Sequence, residues 1–284
     1  MAIRFFAILA VGLAASTAAA AQTIAPLPPA AANLWSGGYV GVTIGAAVGS
    51  RGLTYTGNDE AIIRRLTGVS SFAGNQAVPS HGVSLSGVTG GLVAGYDMRS
   101  GTLVAGIVAD LNITSLAGRG SGTSNLLPPS FTQTITAEQR VGWWATLRGR
   151  LGLVASDRVL VYATAGLALA DVRNGSSYRF DGPSAFVSGG LGGVSYICTA
   201  PGIPCFTGSQ SSIKAGLAAG LGMEFAIDAQ WSVSAEYLYV RLANSNATAT
   251  TVRTISPGDR PSSYRAAFGA TDFHTGRIGL IRRF

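Results

Sequence analysis

Two arginines, Arg148 and Arg150, interrupt a largely apolar stretch that runs from Val141 to Ala170. A guanidinium group binds carboxylates through paired hydrogen bonds, and a buried charge without a partner is costly. Residues two apart point the same way on a strand and diverge on a helix, so both cations are expected to face one interior. We predict that eight inward-facing residues pair there as a charge network: Asp97, Asp110, Arg148, Arg150, Lys214, Glu224, Glu236 and Arg277.

Two short motifs carry residues that could hydrolyse a lipid. His81 lies three residues before Ser84, and Asp272 lies two residues before His274. Ser/His or Asp/His groups near the outer rim of a membrane protein would suit such chemistry. We interpret both motifs as loop or strand-end residues and predict no catalytic residue. A lipid-modifying enzyme is kept as the third functional hypothesis, after the structural role and the diffusion channel described below.

The only two cysteines, Cys198 and Cys205, enclose a short proline-containing spacer. In an oxidising compartment, this spacing predicts a local loop disulfide. A metal site would need further ligands, and the chain has only two histidines. We therefore predict neither a metal nor a cofactor.

The composition favours export and a membrane environment. Of the 284 residues, 47% are hydrophobic and only 12% are charged, about half the usual ~25% for a soluble domain. A basic start, the apolar run FFAILAVGLAA and the small residues STAAAAQ predict a cleaved signal peptide over residues 1–21. We predict a Pro/Ala-rich periplasmic linker over 22–34 and a single domain over 35–284.

No window after the signal peptide resembles a transmembrane helix of ~20 apolar residues. A closed β-barrel is the other architecture that crosses a membrane with its backbone hydrogen bonds satisfied. The net charge of +7 is carried by scattered arginines, with Lys214 the only lysine. This scatter argues against nucleic acid and favours the phosphates of outer-membrane lipid or lipopolysaccharide as partners.

Alternating apolar and small or polar residues predict the strands of an outer-membrane barrel. Leu147, Leu151 and Leu153, for example, share one face, opposite the face of Arg148 and Arg150. We predict an all-β fold, an eight-stranded antiparallel up-and-down transmembrane β-barrel. Its strands are expected near residues 39–48, 88–97, 102–113, 141–154, 159–170, 213–227, 231–243 and 273–284.

The connections between these strands alternate in length. Short joins are MRSG, ASDR and DAQ, whereas long joins span roughly 50–82, 114–138, 174–211 and 244–272. Short periplasmic turns and long extracellular loops are typical of outer-membrane barrels.

Five segments resemble those of a known family and occur in the same order along the chain. They are WSGGYVGVTIG, GGLVAGYDM, LRGRLG, AEYLYV and HTGRIGLIRRF. The chain is similar to the small outer-membrane proteins of alphaproteobacteria, RopB-like surface antigens within the OmpA-like barrel superfamily. The resemblance covers residues 35–284 and implies that the C-terminal Phe284 is read by the barrel-assembly machinery. Arg282 departs from the family, which usually has an aromatic residue there.

An eight-stranded barrel is just wide enough for its side chains to fill the inside. We therefore predict an integral outer-membrane protein without enzymatic activity. Its lumen would be plugged by a salt-bridge network, and its role would be envelope integrity and surface interaction. Extracellular loops would meet any host or surface ligand. The alternative is a small diffusion channel lined by arginine.

Overall fold

A computed structural model describes residues 34–66, 81–126, 131–182, 186–189, 193–199 and 201–284. The signal peptide and all but the last residue of the linker lie outside these residues. The strands are β1 (Gly37–Gly52), β2 (Thr54–Gly57), β3 (Gly82–Ser100), β4 (Leu103–Thr114), β5 (Ala117–Leu126), β6 (Phe131–Ser156), β7 (Val159–Asp181), β8 (Phe186–Gly189), β9 (Val194–Cys198), β10 (Pro204–Ala226), β11 (Trp231–Thr251), β12 (Arg260–Pro261) and β13 (Ser263–Arg283), and the helix is α1 (Glu60–Leu66).

Eight long strands pair antiparallel in a closed circuit in the described part of the chain. Their order is β1, β3, β4, β6, β7, β10, β11 and β13, and β13 pairs again with β1. Each strand neighbours the next in the chain, so the connections simply go up and down. The predicted eight-stranded antiparallel β-barrel is confirmed.

The first and last strands approach each other closely at the seam where the barrel closes. Gly37 has a φ of 111°, which side chains rarely adopt, and a Cβ there would lie 2.6 Å from the Phe284 carbonyl oxygen. The Phe284 N–H in turn donates to the Gly38 carbonyl oxygen at 3.0 Å. Glycine at position 37 therefore lets the two ends of the barrel wall meet.

The alternation along the strands separates a lipid-facing surface from the lumen. On β6, Leu147, Leu151 and Leu153 are 57–59% exposed, whereas Arg148 and Arg150 are 1% and 5% exposed. Apolar side chains can remain on the outside because lipid covers them. We call this outer surface the lipid belt; among its members are Val42, Ile44, Val88, Leu92, Ile107, Ile113, Leu147, Leu151, Leu169, Ile213, Leu217, Leu221 and Ile278.

The strands continue well beyond the lipid belt on the side away from the short turns. β6 begins at Phe131 rather than near Val141, and β5 lies wholly inside a join that was expected to be loop. The reason is that the outward positions there carry Thr, Ser, Gly and charged residues, so the apolar half of the alternation is missing. The predicted short turns agree with the structure, which connects β3 to β4, β6 to β7 and β10 to β11 by two to four residues.

The lumen of this extracellular half is filled by apolar and aromatic side chains, which we call the upper cluster. Phe206 lies at its centre, with ring centroids 4.9 Å from Tyr196, 5.6 Å from Tyr178 and 5.7 Å from Tyr264. Ile62 of α1 is fully buried against it. The upper cluster includes Leu53, Ile62, Leu85, Leu116, Ile135, Trp144, Tyr178, Phe180, Tyr196, Phe206, Tyr264, Phe268 and Phe273.

Candidate functional site: paired charges in the lumen

Four buried charges form a closed cycle of ion pairs at mid-height, which we call the mid-barrel ring. Arg148 reaches Asp110 at 2.6 Å and Glu236 at 2.7 Å. Arg277 reaches the same two carboxylates, at 3.0 Å and 2.5 Å. Each cation therefore touches both anions, and the ring is neutral as a whole.

A second cycle, the periplasmic ring, lies below the first. Arg150 reaches Glu224 at 2.6 Å and Asp97 at 3.2 Å. Arg283 reaches Glu224 at 2.9 Å and Asp97 at 3.1 Å. All four side chains are at most 5% exposed, so these pairs lie in a low-dielectric interior where pairing matters most.

The barrel's strand order places the eight side chains. The mid-barrel ring takes its members from β4, β6, β11 and β13, two neighbouring strands on each of two opposite walls. The periplasmic ring uses β3, β6, β10 and β13, which are every second strand around the circuit. Arg148 and Arg150 thus share a face of β6 yet belong to different rings.

Hydroxyl and amide groups make several of the hydrogen bonds that the ion pairs leave over, although Arg150 Nε and Asp97 Oδ1 have no partner among the described residues. Arg148 donates to Thr146 Oγ1 at 2.8 Å and to Thr164 Oγ1 at 2.6 Å. Asp110 accepts a hydrogen bond from Asn112 at 2.6 Å. Ser232 Oγ donates to Glu224 at 2.6 Å. Bonds of this kind are what makes a buried charge tolerable, because they replace the lost contacts with water.

Aromatic rings flank the periplasmic ring. The Arg150 guanidinium carbon lies 3.9 Å from the Tyr162 ring centroid, and that of Arg283 lies 4.8 Å from Tyr39 and 5.1 Å from Trp35. Cation–π attraction of this kind adds to the ion pairs when water is excluded. It also fixes the plane in which each guanidinium meets its carboxylates.

The space left between the two rings is small. A cavity lined by Tyr39, Arg150, Tyr162, Glu236 and Arg277, among others, has a volume of about 20 Å³. A cavity needs about 10–15 Å³ to hold a single water molecule. The described side chains therefore leave room for about one water at this level.

Seven of the eight residues predicted from sequence lie in the two rings. Lys214 does not: it is half-buried on β10, and it makes no ion pair with the described residues. It lies ten residues from Glu224 along the strand, about 33 Å at the usual rise. Arg283 is instead the fourth cation of the two rings. The sequence contains a pattern that indicates this, because Arg283 shares a strand face with Arg277.

Cys198 and Cys205 are joined by a disulfide that links β9 to the start of β10. Both cysteines are nearly fully buried, and they belong to the upper cluster. The bond therefore ties an extracellular connection to the core beneath it.

The two motifs weighed for hydrolysis do not assemble into a catalytic group. His81 Nε2 is hydrogen-bonded to the Tyr55 hydroxyl at 2.9 Å, and Ser84 points outward. His274 Nδ1 is hydrogen-bonded to the Tyr237 hydroxyl at 2.5 Å on the outer surface. Within the described ranges, Asp272 makes no hydrogen bond to His274.

The residues that the structure describes contain no group of three or more His, Cys, Asp or Glu side chains able to hold a metal ion. No helix among them is both long enough and apolar enough to span a bilayer.

The closed circuit, the lipid belt and the charged lumen define a transmembrane β-barrel of the outer membrane. The chain belongs to the outer membrane protein beta-barrel domain family, whose model matches residues 7–256. It is 29% identical over 277 residues to the 31 kDa outer-membrane immunogenic proteins of Brucella melitensis and Brucella suis, covering 95% of both chains. It is an integral outer-membrane protein of a small surface-antigen family.

Solved structures give a weaker likeness. Ail, the attachment invasion locus protein of Yersinia pestis, is 13% identical with a TM-score of 0.32, covering 87% of this chain and 99% of its own. The outer membrane protease OmpT of Escherichia coli is 7% identical with a TM-score of 0.39, covering 87% and 97%. At these scores neither likeness carries an argument about function.

Proposed function

We propose that this protein is a non-enzymatic component of the outer membrane that stabilises the envelope and presents a folded surface to the exterior. The observation that carries the proposal is the pair of neutral ion-pair rings across the lumen. Together with the cavity of about 20 Å³ between them, they favour a plugged barrel over an open one. The upper cluster supports the same interpretation from the extracellular side.

The diffusion channel is the alternative, and it would require the rings to open. A hydrated solute could pass only if several buried ion pairs separated together, each leaving a charge without a partner. Arginines that each touch two carboxylates make a poor path for anions, because their charge is already neutralised.

Conductance in planar bilayers tests the plug. We expect the wild-type protein to show no steady openings, and Arg148→Ala/Arg277→Ala to show at most brief ones, because the periplasmic ring and the upper cluster still fill the lumen when the mid-barrel ring loses both cations. Arg119→Ala is the control, since Arg119 is an exposed partner of Glu138 outside the lumen. Steady openings of the wild-type protein would identify it as a channel.

The termini have separate proposed roles. Residues 1–21 would direct export and be removed, and residues 22–34 would form the periplasmic lead into the barrel. Phe284, which is 71% exposed at the end of β13, would be recognised by the barrel-assembly machinery. The guanidinium carbon of Arg282 lies 5.8 Å from the Phe284 ring centroid, so a cation would lie beside the residue that the assembly machinery recognises.

The extracellular half would carry the interaction role, with any host or surface ligand meeting its connections. The Cys198–Cys205 disulfide would hold one of these connections in a fixed shape. A fixed surface loses less conformational entropy on binding than a free loop. The names of the Brucella relatives, which are immunogenic outer-membrane proteins, support an exposed surface of this kind.

A further inference from the structure

The outer face of β6, β7 and β10 changes character abruptly above the lipid belt. The last outward apolar residues are Leu169 on β7 and Ile213 on β10, which are 46% and 64% exposed. Asp171 is the next outward residue on β7 and is paired in register with Ile213. This row therefore marks the boundary between the acyl chains and the headgroups of the outer leaflet.

Two arginines lie side by side immediately above this boundary. Arg140 on β6 and Arg173 on β7 are direct partners across the strand pair, and both point outward. Like charges directly opposite one another on a sheet repel. Arg140 makes no ion pair among the described residues.

The second arginine is only partly neutralised. Arg173 meets Asp171 through Nε at 3.2 Å, and its side chain stays 68% exposed. Asp171 is shared, because it also accepts a hydrogen bond from Ser211 at 3.0 Å. Within the part of the chain that the structure describes, the two terminal nitrogens of Arg173 therefore have no hydrogen-bond partner.

A polar groove of about 300 Å³ begins directly above the two arginines. A Cβ at Gly175 would lie 3.0 Å from the Glu138 side chain, so the missing side chain is what opens the groove there. The carboxylate of Glu138 is paired with Arg119 at 3.1 Å. The remaining lining includes the hydroxyl groups of Thr136, Ser177, Thr207 and Ser209.

We propose that this face binds a phosphorylated glycolipid of the outer leaflet. Arg140 and Arg173 would hold the phosphate, because planar guanidinium groups bind phosphate oxygens in pairs. The groove would receive the adjoining sugars, whose hydroxyls match its Ser and Thr side chains. With three arginines against two carboxylates, the face keeps a net positive charge at headgroup level.

The lipid is favoured over a soluble phosphate by position. The pair lies one row above the lipid boundary, where a phosphate anchored by acyl chains is held next to it. The inference deepens the proposed surface role and requires only the outer-membrane placement. It does not depend on the lumen being closed, so a conducting wild-type barrel would leave it intact.

The test measures binding of fluorescent bisphosphorylated lipid A to the full-length protein in zwitterionic micelles. We expect Arg140→Ala/Arg173→Ala to weaken binding about tenfold or more. Arg265→Ala is the matched control, because Arg265 is an exposed outward arginine on the opposite wall. Each variant is first shown to be folded by its altered mobility on unheated detergent gels.

Two further arms examine the phosphate and the sugar contacts. Dephosphorylated lipid A should bind the wild-type protein as weakly as bisphosphorylated lipid A binds the double variant. Gly175→Val should weaken binding of lipopolysaccharide that carries core sugars more than binding of lipid A, which has fewer sugars for the groove to receive. Full lipid A binding by the double variant, or an equal loss in Arg265→Ala, would overturn the proposal.

Discussion

The two halves of the lumen are filled in different ways. The periplasmic half holds eight charges in two neutral rings, and the extracellular half holds the upper cluster. Ion pairs are directional, so each ring residue has defined partners and distances. Apolar packing is not directional, so the upper cluster is constrained mainly by volume. We therefore expect substitutions of the ring residues in the periplasmic half to be tolerated far less than substitutions in the upper cluster.

Arg51 shows the contrast within a single residue type. It is the one buried charge of the extracellular half among the described residues, and no carboxylate pairs with it. Its Nη1 group donates to two carbonyl oxygens and to Thr271 Oγ1, at 3.0–3.3 Å. The ring arginines, by contrast, each touch two carboxylates.

The largest effect is expected from breaking a ring. Arg148→Ala leaves Asp110 and Glu236 with one cation instead of two, and should lower the free energy of unfolding by about 3–5 kcal/mol. Urea unfolding of the refolded protein in micelles, followed by tryptophan fluorescence, measures the loss. Arg119→Ala, which removes an exposed pair, should cost about 0–1 kcal/mol.

A double-mutant cycle sharpens the same result. Because Arg148 and Asp110 are in direct contact, their combined loss should be smaller than the sum of the single losses. Additive losses would mean that the ring pairs contribute little to stability.

Removal of the disulfide should have the next largest effect. Replacing Cys198 and Cys205 together by serine frees a loop with a sequence separation of 7 residues. The entropy of closing so short a loop predicts a loss of about 2–3 kcal/mol. The same unfolding measurement, made with and without reductant, should move the wild-type protein toward the double variant. A variant as stable as the oxidised wild type would contradict this.

A conservative change in the upper cluster should cost less. Phe206→Leu keeps an apolar side chain of similar size and should lower the free energy of unfolding by about 1–1.5 kcal/mol. Arg148→Lys is the matching conservative change in a ring, and it should cost more, because lysine cannot bridge two carboxylates with a planar fork. If the order of the two losses were reversed, the contrast between the halves would be wrong.

The smallest effect is expected at the periplasmic turn. Backbone N–H groups of Gln230 and Trp231 donate to Asp228 at 2.8 Å and hold the pKa of its carboxyl below the usual 3.8. A lowered pKa in the folded state stabilises the protein above the unfolded pKa, and this is lost as pH falls through the folded value. Asp228→Asn should therefore lower the melting temperature slightly at pH 6 and not at pH 2. An equal shift at both values would exclude this linkage.

The sequence predicts the lower half of this molecule better than the upper half. Period-two alternation identifies the eight strands, because lipid on one side and charge on the other leave a clear pattern at Leu147 and Arg148. Ring membership needs the relative heights of the strands, which follow from barrel stagger rather than from any one segment. For this reason the sequence pattern alone predicts Lys214 as a member and does not identify Arg283.

The upper half was expected to be loops because its outward residues are polar. Its inward residues, such as Tyr178 and Phe206, alternate with Ser, Thr and Gly in segments that also contain proline. Such segments look like connections until the pairing of β6, β7 and β10 is known. The disulfide was predictable there, since two cysteines and a short spacer leave few alternatives.

Strands β6 and β13 contribute an arginine to both rings, and they stand on opposite walls of the barrel. The two rings thus connect opposite walls of the barrel at two heights. Lateral pressure from the bilayer would tend to flatten the barrel into an ellipse, and connections at two heights would oppose both flattening and shear. We expect these charges to help keep the cross-section of the barrel round.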